Sequence, residues 1–541
     1  MNHTVKSSHL DDMAIKLSLP KISTEPDPAV EIRPVYVEEA VESFAYANPP
    51  VLLDQNLEAL QKLNAQPIKP AQRVAVLDLY LKVYAYGLNV RRTQDAAQTG
   101  TSVNRQRAIS RRLRLNAIEL ALGYKQALSE IVVRKNLFSS SREYRTCLQR
   151  AMLCTSQAVL HCYDEYRPTE ERLWLETIAL YKVADKDDLA EQLVSSAVDE
   201  PLFSQSIAGC FKRFCLTSLV DPYHLAYGEL WTVHEAFGEY ANQASIVDIT
   251  QTKRPAGLFV IDPTRDTKPT TLVQYKGTPG EHCRLLDANP ILDLLRKRHQ
   301  SGGQRDPLAS HVLTAMIRAL GLPPKRHSPR EQSEGKVNVS AGLSTVHYFI
   351  GGSQLSKRPR IENADGGDVE ITDVSNQPDS QRSSYRYEPW RIANEGPGGV
   401  GILRETQPAT PVGVGELVGM QFPLRGDGEF DWAIGVVRWL SIDGDQEYQA
   451  GVQTLGELAT PVTAFSENVT DTITRIPRPT LALPSMGTEP GNTLIAPRGL
   501  FTRGDMLRIQ TDNHSWLVEA LALSEGTSTY DRFTYRIVEG G

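Results

Sequence analysis

The sequence predicts a multidomain α + β protein: an N-terminal all-α helical bundle or solenoid, then a small antiparallel β-barrel, then an additional small β-unit. Three observations carry this expectation. Apolar residues recur at intervals of three and four from about residue 52 to 250, with few internal Gly or Pro. Beyond "PPKRHSPR" the chain changes to short Val-, Ile- and aromatic-bearing runs separated by turn residues. A composition of 40% hydrophobic and 23% charged residues over 541 positions supports ordinary cores in several domains.

Residues 1–50, rich in Pro, Glu, Ser and Asp, read as a disordered arm. Residues 51–322 read as a mainly helical domain. "VLLDQNLEALQKL", "RVAVLDLYLKVYAYGL", "RRLRLNAIELALGYKQALSEIVV" and "CLQRAMLCTSQAVLHCYDEY" are its amphipathic helices, and "ERLWLETIALYKVA" and "LAEQLVSSAV" form a helical hairpin around "DKDD". "GLFVID" and "TTLVQY" form a small hairpin near 255–280, followed by two more helices. Residues 323–475 form the barrel, with "KVNVSAGLSTVHYFI", "YEPWRIAN", "VGILRE", "ELVGMQFPL", "FDWAIGVVRWLSI" and "YQAGVQTLG" as strands and a polar, flexible insertion at 353–386. Residues 476–541 hold the second β-unit, from "PTLALPS" to "DRFTYRIVE".

A net charge of −7 argues against binding nucleic acid through bulk positive charge, so an anionic ligand needs a local site. Arg105, Arg107, Arg111, Arg112 and Arg114 concentrate at one helix start, where intramolecular ion pairs are the expected use. The six cysteines never approach C-x-x-C spacing and read as buried free thiols. His234 in "HEAFG" lacks a second histidine, and "GGSQLSKR" at 351–358 departs from a phosphate-binding loop at several positions. No catalytic set, metal site or cofactor is expected. Without a leader or a long apolar run, the protein is expected to be cytoplasmic with no membrane span.

The stretch most in need of explanation is "WRIANEGPGG" at 390–399, where a strand breaks into Asn, Pro and three glycines. Such a cluster marks a turn where another backbone or a ligand comes close. Ahead of it lies Arg326-His-Ser-Pro-Arg330, then a strand; within it is Asn394-Glu-Gly396-Pro-Gly-Gly399; "VGELVGMQFPL", "AIGVVRWL" and "YQAGVQTLG" follow. This order resembles the PilZ domain, a six-stranded barrel family that binds cyclic di-GMP, over roughly residues 325–460. The resemblance implies a non-enzymatic effector with Arg326, Arg330, Asn394, Gly396 and Gly399 as ligand-binding residues. It implies a helical domain that meets an unidentified protein partner, with outputs in motility, pili, adhesion or biofilm.

The residue types suit that ligand. Guanidinium groups grip phosphate oxygens bidentately, pair with guanine O6 and N7, and stack on bases. The amide at 394 accepts from guanine N1 or N2, and the glycines let backbone amides approach. Gly396 stands where the family has serine, removing one hydroxyl contact. A rival pair, Arg382 and Arg386, lies so close before Asn394 that no strand fits between, so the earlier pair is preferred. An alternative reading keeps the barrel as a protein-interaction scaffold that has lost the nucleotide.

Overall fold

The computed structural model describes residues 17–96, 103–134, 141–194, 205–249, 256–301, 310–322, 330–351, 385–423, 430–444, 447–456, 459–467, 476–484, 492–511 and 513–540. They divide into two compact units, residues 1–325 and 326–541.

The first unit holds α1 (Pro34–Glu42), α2 (Pro49–Asn64), α3 (Pro70–Ala96), α4 (Val103–Arg134), α5 (Ser141–Asp164), α6 (Leu173–Lys186), α7 (Ile207–Leu219) and α8 (Glu229–Tyr240). Helix starts follow local chemistry. Prolines open α1 and α2, where a missing N–H costs nothing, and Ser206 Oγ accepts the Gly209 N–H at 3.0 Å to cap α7. The apolar stripes merge into one continuous core, from Val37 through Leu77, Leu113, Phe211 and Phe237 to Leu292 and Met316. It is therefore an irregular bundle around one main core.

A four-stranded sheet of order β1-β4-β2-β3 follows, from β1 (Ser245–Asp248), β2 (Leu258–Ile261), β3 (Thr270–Thr271) and β4 (Arg284–Asp287), and then α9 (Asn289–Ser301) and α10 (Ser310–Leu320). The expected hairpin is present as the β2–β3 pair, with Phe259 opposite Thr271, but β4 covers the other edge of β2.

Two expectations for this unit are corrected. Residues 17–50 are not a free arm: the Ser18 N–H donates to Glu176 Oε1 at 2.8 Å, Ser23 N–H to the Ala65 carbonyl at 2.8 Å, and α1 buries Val37 and Val41. Their acidic, proline-rich composition hides a few apolar anchors that dock. Nor does a second helix begin at Leu189; α6 ends with Asp188 in left-handed backbone, and Leu193 makes an isolated bridge to Ser206. Residues 1–16 lie outside the described part of the chain.

The second unit contains β5 (Glu331–Ala341), α11 (Leu343–Ile350), β6 (Glu388–Gly396), β7 (Gly399–Arg404), β8 (Leu417–Pro423), β9 (Phe430–Asp443) and β10 (Glu447–Gly456), followed by β11 (Thr460–Ser466), β12 (Arg478–Leu483), β13 (Thr493–Pro497), β14 (Met506–Gln510), β15 (Ser515–Gly526) and β16 (Tyr530–Gly540). They close into two six-stranded antiparallel barrels, β10-β7-β6-β5-β8-β9 and β11-β12-β13-β16-β15-β14. Closure removes the exposed edges that open sheets must protect.

The segment "KVNVSAGLSTVHYFI" is not one strand. Gly342, at a φ of 92°, ends β5, and the following residues coil into α11. Val346 then enters a cluster with Leu417, Ile434 and Val436 of the first barrel and Leu481, Leu483, Ile495 and Tyr530 of the second. The second barrel also starts earlier than residue 476, because β11 pairs with β12 and β14. The proposed insertion falls almost wholly on residues 352–384, outside the described residues, as does most of "GGSQLSKR".

Candidate functional site

In the first barrel the register decides which residues meet. Strand β5 pairs Glu331 with Glu395 and Gln332 with Asn394, so Arg330, one residue ahead of β5, arrives at the end of the β6–β7 hairpin. Its Nη1 donates to Asn394 Oδ1 at 3.2 Å, across 64 residues of sequence. Two β-bulges flank this point, one between Gln332 and Gly335 and one between Ile392 and Asn394. A bulge re-aims side chains, and here it brings Asn394 opposite Gly401.

The hairpin turns through Pro397 and Gly398, and Gly396 pairs with Gly399. The close neighbour of this glycine cluster is strand β10. A Cβ on Gly399, whose φ is 152°, would lie 2.1 Å from the Val452 carbonyl oxygen, and the Thr454 N–H donates to the Gly398 carbonyl at 3.2 Å. The turn is thereby held against β10 before any ligand is considered.

Gly401, not singled out from the sequence, matters for a related reason. A Cβ there would meet the Asn394 amide at 2.8 Å, so the missing side chain is the seat in which Asn394 lies. Gln453 is a second such residue: it pairs with Gly399, and its Oε1 accepts from Arg438 Nε at 2.7 Å. The signal for both was present, in "VGILRE" and "GVQTLG", but the register that gives them a role was not.

The charges at this face are used unequally. Arg391 pairs with Glu405 at 3.0 Å, Arg404 with Glu388 at 2.9 Å, and Arg438 with Glu525 of the second barrel. Arg438 therefore edges the barrel. Arg330 is exposed, and among the described residues no carboxylate pairs with it; its partner is the neutral amide of Asn394. A guanidinium held by an amide keeps its full charge for an anion. Of the expected site residues, the structure thus brings together Arg330, Asn394, Gly396 and Gly399. Arg326 and Arg382 lie outside the described residues, and Arg386 is exposed.

Elsewhere the simpler readings hold. His234 is buried, bonds the Thr217 hydroxyl at 3.0 Å, and is held neutral by burial. Burial likewise pushes the Cys147, Cys154, Cys162 and Cys210 thiols up to about 12. In the arginine-rich start of α4, Arg112 pairs with Asp54 at 2.8 Å and Arg114 with Glu165 at 2.7 Å, so these charges are spent internally. Among the described residues no helix is long and apolar enough to cross a membrane.

Comparison with known proteins finds relatives for both units. Residues 36–251 match the family described as cyclic-di-GMP receptor FimW, N-terminal domain, and residues 258–365 and 355–461 match that described as cyclic-di-GMP receptor FimW, middle PilZ domain. A curated relative, the cyclic-di-GMP receptor FimW of Pseudomonas aeruginosa, is 23% identical over 483 residues, covering 78% of this chain and 76% of its own. No solved structure matches.

Proposed function

Taking as premise that the chain belongs to the PilZ family, with its first barrel as the PilZ domain, we propose that it is a non-enzymatic cytoplasmic receptor that binds cyclic di-GMP at the end of the β6–β7 hairpin. The observation that carries the reading is Arg330, which donates to Asn394 and has no carboxylate partner among the described residues. Arg330 grips a phosphate oxygen or a guanine edge, with Arg326 as the second fork of the pair. Asn394 accepts from the guanine Watson–Crick edge, and the turn of Gly396 and Gly399 leaves room for the ligand beside its backbone.

The arginines sit on the segment joining the helical unit to the barrel, so an occupied site holds that segment against the hairpin. Output then passes to a protein partner of the helical domain, in motility, pili, adhesion or biofilm. The energy available is the difference in ligand affinity between the two arrangements of the linker.

The test is calorimetric titration of the full chain with cyclic di-GMP, beside the Arg326→Ala/Arg330→Ala variant. Each lost contact is expected to cost on the order of 1–3 kcal/mol, roughly 5- to 150-fold in affinity. Saturable binding that the double change abolishes supports the reading; equal binding by both proteins removes it. Gly396, which lacks the family's hydroxyl, favours a second reading in which the barrel is a scaffold without nucleotide. Absence of heat at high ligand concentration would establish that one.

A further inference from the structure

The four-stranded sheet of the first unit brings three donor side chains of different chemistry to one point. Antiparallel pairing of Ile261 with Arg284 puts the residue after β2 beside the residue before β4, which are Asp262 and Cys283. His282 precedes Cys283 and folds back over the turn before β4. A Cβ on Gly280 would lie 2.5 Å from the His282 ring, so glycine there clears the space for the imidazole. The carboxylate oxygen, the imidazole nitrogen and the thiol sulfur all lie within 4.8 Å of one another.

The surroundings orient this set. Tyr275 donates to Asp262 Oδ2 at 2.7 Å, and Arg265 Nε lies 3.0 Å from the same oxygen while stacking over the Tyr275 ring. Oδ1 therefore faces His282, whose Nε2 is 3.7 Å away. Oδ1 also accepts the Thr264 N–H at 2.9 Å and its hydroxyl at 2.7 Å. Rotation of that hydroxyl frees a lone pair while the N–H keeps the oxygen in place.

We propose that Asp262, His282 and Cys283 form a binding site for a divalent transition metal of the zinc class, with water in the fourth position. One thiolate, one imidazole and one carboxylate are the ligand types zinc takes, and three protein ligands plus water is a familiar zinc arrangement. The half-exposed His282 provides the entry path. Tyr275, Arg265 and Thr264 are the outer groups that fix the carboxylate. One face of the sheet packs into the main core through Phe259, Ile261 and Leu286, while the other, among the described residues, buries Val260, Cys283 and Leu285 against partly buried Ile249, Leu272 and Tyr275; a metal on that thinner face would tie strand to strand.

Cobalt(II) titration of the full-length, thiol-reduced, metal-stripped chain tests the site. The expected result is a thiolate-to-cobalt charge-transfer band saturating at one equivalent and abolished by zinc, which binds such sites more tightly. Cys283→Ser should lose the band. His282→Ala, a half-exposed substitution that leaves the circular dichroism unchanged, should weaken cobalt about 10- to 100-fold or more. No thiolate band in the wild type, or equal cobalt affinity in wild type and His282→Ala, would overturn the proposal.

Discussion

In the helical unit Arg91, Arg114 and Arg150 are sunk among α3, α4 and α5, and each meets a carboxylate: Asp164, Glu165 and Asp78. At the hairpin of the first barrel Arg330 stays in solvent and meets an amide. The same side chain thus serves two ends, distinguished by the charge of its partner rather than by the number of arginines nearby. Removing the partner of a buried charge is strongly destabilising, so these interior pairs matter to the fold, although the equally buried Arg73 is met by the Leu63 and Gln66 carbonyls instead. On the proposed reading, a guanidinium that takes a ligand must stay free of a carboxylate partner, because a resident carboxylate would compete with the phosphate.

The comparison is broken most directly at Asp164. Asp164→Ala removes the carboxylate that faces Arg91, whose side chain is fully buried, and should cost about 3–5 kcal/mol of helical-unit stability in chemical denaturation, with little change in cyclic di-GMP affinity. An unchanged denaturation midpoint would mean that the buried pair is not what holds these helices together.

Gly399→Ala comes next. Its Cβ would press into the Val452 carbonyl, so β7 or β10 must shift, at a cost on the order of 1–3 kcal/mol in barrel stability and with loss of ligand binding. A variant that binds and melts like wild type would show that the turn is looser than its contacts indicate.

Arg330→Ala should lower ligand affinity while moving stability by no more than about 0.5 kcal/mol, since the side chain is exposed and, among the described residues, bonded to Asn394 alone. Loss of stability comparable to Asp164→Ala would place Arg330 with the interior arginines and dissolve the distinction.

A last effect, read through pH, is expected at Glu416, where burial pushes the carboxyl from 4.5 up to about 7. The folded protein then holds a proton that the unfolded chain has released, so this group's contribution is full below 4.5 and is lost as pH rises through about 7. Glu416→Gln should therefore melt above wild type near pH 8 and level with it near pH 4, as read by thermal denaturation. A constant difference across that range would put the effect on packing.

Much of this was legible in the sequence for physical reasons. The long helices showed their apolar stripes, and the barrel strands showed branched and aromatic residues between turns. What failed was local ambiguity resolved by distant contacts. "LSTVHYFI" has the branched, aromatic content of a strand, yet becomes α11 because Gly342 turns the chain and Val346 finds a core made by residues up to Tyr530. "TPVTAFS" was not read as a strand, yet β11 has partners on both sides. Arg330 and Asn394 could be paired only through the order of motifs, since the register joining them is invisible in one sequence. Asp262 and Cys283 stayed hidden for the same reason: neither belongs to a recognisable spacing.

Helix α11 has a bearing on how such chains can be inherited. By sequence it belongs to the first barrel, and Phe349 stacks on Trp432 of β9 at 5.5 Å. By contact it also closes the second, through Val346 and through His347, whose Nε2 donates to the Val462 carbonyl at 3.0 Å. A gene fragment ending between β10 and β11 would carry a nucleotide-type barrel whose buttress has lost half its footing. The two barrels are consequently one heritable module, able to move between proteins together but poorly placed to be recombined, duplicated or discarded separately.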